Sequence, residues 1–126
     1  MRDILFRGKR KDNGLWVYGD LRQYSETHKG IYDYDLRQTV KGIIPATVGE
    51  YTGITDKNGK RVFEGDICLC NRNINDHIDE RTFVIEFEST RGWIGVSNDG
   101  WSEFEGSAWE CAEVIGNIHD NPELLN

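Results

Sequence analysis

Proline is scarce, with two residues in 126, and no apolar stretch approaches the ~18 residues that a membrane-spanning helix needs. The N-terminal run Met1-Arg2-Asp3-Ile4-Leu5-Phe6-Arg7 has only three apolar residues between charges. That is too short for the core of a secretion signal, so the expected location is the cytoplasm of the cell that makes the protein. Cysteine is nearly as rare: three residues, an odd number that no complete set of intrachain bridges can use. Cys68 and Cys70 would share one face of a strand, where near neighbours are poorly placed to bond to each other. A reducing compartment is the simpler reading. Basic charge is missing from the second half. Residues 64–126 carry three Lys/Arg against fourteen Asp/Glu, with no Lys after Lys60, whereas residues 1–63 carry twelve against eight. Such an acidic half repels a phosphate backbone, which argues against direct nucleic-acid binding.

Aromatics are plentiful: four Trp, five Tyr and five Phe, spread along a chain of one domain's length. A chain of this composition can bury a core and is not disordered throughout. Its pattern is β. Ile4-Leu5-Phe6-Arg7 and Leu15-Trp16-Val17-Tyr18 flank Asp12-Asn13-Gly14, where Gly14 supplies the positive φ of a hairpin turn. Both faces of the second strand are apolar, so something should cover each. Arg7, Lys9, Arg10 and Lys11 read as a solvated hairpin edge. Residues 20–38 are weakly patterned: a loop at 25–30, then a short strand at 31–34. Pro45 argues against a central strand in 42–49.

The run 51–67 holds a second Asn-Gly turn at Asn58-Gly59, followed by Gly65-Asp66 opening the strand Ile67-Cys68-Leu69-Cys70. Gly14, Gly59, Gly65 and Asp66 are read as chain-steering residues. In Thr82-Phe83-Val84-Ile85-Glu86-Phe87-Glu88, alternation predicts Phe83, Ile85 and Phe87 inward and the glutamates outward. Strands at 93–96 and 112–118 follow, and Pro122 opens one terminal helical turn at 122–125.

Three blocks resemble the YopX family of phage and prophage proteins. They are Met1-Arg2-Asp3-Ile4-Leu5-Phe6-Arg7 with Trp16-Val17-Tyr18-Gly19, then Val48-Gly49-Glu50-Tyr51-Thr52-Gly53-Ile54-Thr55-Asp56-Lys57-Asn58-Gly59-Lys60 running into Phe63-Glu64-Gly65-Asp66-Ile67, and Val114-Ile115-Gly116-Asn117-Ile118-His119-Asp120-Asn121-Pro122-Glu123-Leu124-Leu125. The resemblance implies a mainly β fold over 1–126 as a single YopX-like domain. Residues 1–60 would form a β-rich N-terminal part, 61–118 a small SH3-type barrel and 119–126 a tail. It also implies a gene carried by a phage or mobile element. It brings no activity and no catalytic residues.

The residues themselves offer little catalysis. Cys68, Cys70, Cys111 and His119 are zinc-ligand types, but Cys-x-Cys is not the spacing of a zinc knuckle, and small Cys side chains pack well beside a β wall. Asp76-His77-Ile78-Asp79-Glu80 lacks the ladder and glycine of a calcium loop and reads as a hairpin tip. Glu86 and Glu88 share a face, yet a metal-dependent nuclease would want a nearby Lys. No G-x-S-x-G elbow occurs. No catalytic residue, metal or cofactor is therefore assigned, and the chain is read as not an enzyme. Trp93, Trp101, Phe104 and Trp109 are the candidate protein-binding set, since SH3-type barrels bind peptides on aromatic-lined grooves and Trp is common at interface hot spots. The expected partner is a host or phage protein. An acidic decoy of a nucleic-acid-binding protein and an enzyme with an unrecognised metal site are the rivals. Uncovered sheet edges leave room for a second copy.

Overall fold

The computed structural model describes residues 4–97, 102–103 and 111–125. They are mainly β, in two antiparallel sheets, with short 3₁₀ turns at Pro45–Thr47 and Pro122–Leu125. No helix among them is long and apolar enough to cross a membrane. The chain divides into two compact units, Met1–Gly53 and Ile54–Asn126.

The first unit is built on β1 (Phe6–Lys9), β2 (Trp16–Gln23), β3 (Lys29–Asp33), β4 (Gln38–Val40) and β5 (Gly49–Thr55), in the order β4-β3-β2-β1-β5. Strand alternation turns Val17, Ile31 and Val40 to one face, where they meet Ile43, with Phe6, Leu21 and Val48 packed around them. Burying each of these apolar side chains contributes about 1.5–3 kcal/mol. Gly8 matters here because a Cβ would lie 2.6 Å from the Ile43 Cγ2, so the bare backbone lets Ile43 close over β1.

The first hairpin forms as expected, with Gly14 at φ +71° and the Asn13 Oδ1 accepting the Leu15 N–H. The weakly patterned stretch is more regular than its sequence suggests. β2 runs on to Gln23, and β3 and β4 pair as Ile31↔Val40 to Asp33↔Gln38. Its turns are held by side chains: the Ser25 Oγ accepts the Thr27 and His28 N–H groups, and the Asp33 Oδ1 accepts those of Asp35 and Leu36.

The second unit contains β6 (Arg61–Phe63), β7 (Asp66–Ile74), β8 (His77–Glu88), β9 (Gly92–Ser97), β10 (Ser102–Glu103) and β11 (Ala112–Asn117). Its sheet has the order β10-β9-β8-β7-β11, and the described residues do not close it into a barrel. Val62, Cys68, Cys70, Phe83, Ile85 and Ala112 form the core, with Trp93, Cys111 and Val114 against it. Two expectations are corrected. β7 and β8 pair all the way from Ile67↔Val84 to Ile74↔His77, so the tip read at 76–80 is only the two-residue turn Asn75-Asp76, both in the left-handed region. Phe87 is 60% exposed although it alternates with Phe83 and Ile85, because it lies near the end of β8 beyond the covered part of the face.

Candidate functional site

The acidic residues of the 51–67 run are engaged with the backbone. The Asp56 Oδ1 accepts the Asn58 and Lys60 N–H groups at 2.9 Å, and its Oδ2 accepts the Val114 N–H at 3.0 Å. The Asp56 N–H in turn donates to the Lys60 carbonyl and the Gly59 N–H to the Asp56 carbonyl, with Gly59 at φ +81°. Burial pushes the Asp56 carboxyl up, but the three N–H donors, Val114 first, together hold it below the usual carboxylate range. Asp66 is 2% exposed and accepts the Phe63 N–H at 2.7 Å. Between them Gly65, at φ +87°, donates its N–H to the Ile85 carbonyl and accepts the Ile118 N–H. These groups fold the chain rather than face a substrate.

The 117–121 segment is also a backbone device. The Asn117 Oδ1 accepts the His119 and Asp120 N–H groups, and the Asn121 Oδ1 accepts the Asn117 N–H. Gly116 is required there, because a Cβ would fall 2.5 Å from the Asn121 Oδ1.

The cysteine reading is corrected. Cys70 and Cys111 are joined by a disulfide, their Cα atoms 5.3 Å apart. The residue after Cys111, Ala112, pairs directly with Cys70 across β7 and β11, and this places the two sulfurs within reach. Linear spacing hides that register, whereas the expectation that Cys68 and Cys70 would not bond to each other agrees with it. Cys68 is a buried free thiol, pushed up to about 12 by burial first and by the nearby Asp66 and Asp56 carboxylates. Two of the zinc-ligand candidates are thereby consumed, and no group of three metal-ligating side chains occurs among the described residues.

Of the aromatic set, Trp101, Phe104 and Trp109 lie outside the described residues. Trp93 is half-buried on the core. Phe87 stands directly opposite it across β8 and β9, its ring edge-on at 5.2 Å and 70°. Glu86 and Glu88, on the opposite face of β8, differ: Glu86 is exposed, while Glu88 is clasped by Arg91 at 2.6 and 2.8 Å and by the Thr90 hydroxyl. Arg91 first, then Thr90, holds the Glu88 carboxyl down to about 2. An exposed aromatic braced by a second can seat an apolar or cationic side chain.

The first unit holds a second aromatic face, on the Trp16–Tyr18 side of the strand whose two faces both read as apolar in the sequence. Trp16, Tyr18, Asp20 and Arg22 alternate along β2, away from the Val17 side. The Arg7 guanidinium lies 4.7 Å from the Trp16 ring centre, and that of Arg22 lies 5.4 Å from the Tyr32 ring centre. Tyr32 and Tyr34 meet edge to face, and the Tyr34 hydroxyl donates to Asp20, which raises the phenol pKa. The alternation of Trp, Tyr, Asp and Arg was the signal available in the sequence.

Comparison with known proteins gives three results. A family model described as YopX protein matches residues 5–126. No curated protein matches. Among solved structures, the crystal structure of protein EF1440 from Enterococcus faecalis is similar over 100% of both chains, at 20% identity and a TM-score of 0.54. That likeness shows a shared fold.

Proposed function

The chain belongs to the YopX family, and from that premise we propose that it is a non-catalytic protein-interaction module, encoded by a phage or prophage and working in the host cytoplasm. The observation that carries this reading is the Phe87–Trp93 pair, in which a large aromatic stays mostly in solvent while its neighbour anchors it to the core. Exposed aromatics of this kind are where binding energy concentrates. The strand order β10-β9-β8-β7-β11 supports treating the second unit as SH3-like: a meander of four strands whose first strand is also paired by the last. In that class aromatic-lined grooves take extended peptides. A second half poor in Lys and Arg and rich in Asp and Glu favours a partner segment of positive charge.

The test is affinity capture from host lysate, followed by calorimetry with the purified partner and the Phe87→Ala variant. Phe87 is largely exposed, so the variant should fold normally and bind at least about tenfold more weakly, a loss of about 1.4 kcal/mol. If parent and variant enrich the same proteins with equal affinity, the reading fails.

A further inference from the structure

In the first unit a groove of about 270 Å³ opens between Arg10, Lys11 and Asp12 of the β1–β2 turn and residues 38–42 at and after β4. Its walls are tied together by backbone. The Lys11 N–H donates to the Gly42 carbonyl at 2.8 Å, the Ile44 N–H to the Lys9 carbonyl at 2.9 Å, and Arg10 bridges Ile43. The Arg10 guanidinium is fixed from one side, its Nε and Nη2 donating to the two Asp12 oxygens at 2.9 and 2.7 Å. A guanidinium has five N–H donors in a rigid fork, so donors remain after Asp12 is satisfied. Lys11 and Lys41 also line the groove, and neither makes an ion pair with another described residue. Asp12 offsets one of the three cations and leaves two ammonium charges facing one opening. Gln38 and Thr39 of β4 complete its lining.

We propose that this groove binds a small phosphate-bearing ligand through Lys11, Lys41 and the oriented Arg10. A phosphomonoester is close to dianionic at neutral pH and matches the two uncompensated ammoniums. Its oxygens also suit the planar fork of Arg10. The volume falls at or just below the lower end of ordinary ligand sites, which suits a phosphate carrying a small substituent. A long polyanion is disfavoured, because the chain as a whole carries a net charge of -7.

The test is an amide NMR titration of the full chain with inorganic phosphate, with glycerol phosphate and with sodium chloride at matched ionic strength. Saturable shifts at Lys11, Lys41 and Gly42 are expected with both phosphates, with a Kd of about 1 mM or tighter. The Lys11→Met/Lys41→Met double variant should weaken binding at least about tenfold, with an unchanged melting temperature because both side chains are exposed. Shifts no larger than those from chloride, or shifts retained in the folded double variant, overturn the proposal.

Discussion

The Asp56 carboxylate holds the backbone of Val114, 58 positions further along the chain, with the N–H 3.0 Å from Oδ2. Lys57 adds a second tie, its N–H donating to the Ala112 carbonyl at 3.0 Å. Together they occupy the edge of β11 that does not face β7. A sheet edge that would otherwise invite pairing with another chain is thus covered by a turn.

Asp56→Ala should therefore destabilise the protein by about 2–4 kcal/mol, because three backbone donors lose a charged acceptor in a buried place. Asp56→Asn, which keeps one acceptor oxygen, should lose about half as much. The folded-state pKa lies below the unfolded one, so this stabilisation is complete above the unfolded value and is lost as pH falls through the folded value. Urea melts at pH 7 and pH 3 check both points. The parent should lose stability towards acid, and Asp56→Ala should lose less.

Gly65 is needed for its backbone angle and not for space. A Cβ there would meet Ile118 only at 3.6 Å, an ordinary contact, but φ is +87°. Gly65→Val should cost at least about 2 kcal/mol, since a β-branched residue tolerates the left-handed region poorly. Gly65→Asn should cost clearly less. Equal melting temperatures for the two variants would show that the Cβ contact, and not φ, sets the cost.

The steering residues were legible because turn chemistry is local. Gly14, Gly59 and Gly65 all adopt positive φ, and Asp66 binds a backbone N–H three residues away. The β class and the alternation of Phe83 and Ile85 were legible for the same reason, since period two is written into neighbouring residues. What failed was long-range. The Cys70–Cys111 pairing depends on the register of two strands 41 residues apart, and the exposure of Phe87 depends on where the covering elements stop. β4 was missed and β3 was legible only as a short strand at 31–34, because only Ile31 and Val40 in them are apolar core residues, and their turns are held by Ser25 and Asp33 side chains. Of the candidate binding set, only Trp93 falls among the described residues.

The disulfide offers the sharpest test of how the fold meets its compartment. It closes a loop with a sequence separation of 41, for which chain-entropy arguments give about 4 kcal/mol of stabilisation. Air-oxidised protein should contain one titratable thiol in denaturant, Cys68, and close to none when native, because that thiol is buried and stays protonated far above neutral pH. Adding reductant should lower the urea midpoint by the equivalent of about 3–4 kcal/mol, and Cys70→Ala/Cys111→Ala should match the reduced parent to within about 1 kcal/mol. In a reducing cytoplasm the protein would have to fold without that contribution, from its core clusters and hydrogen bonds. If the reduced chain remains cooperatively folded at 37 °C, the proposed location stands. If reduction unfolds it, an oxidising compartment replaces it.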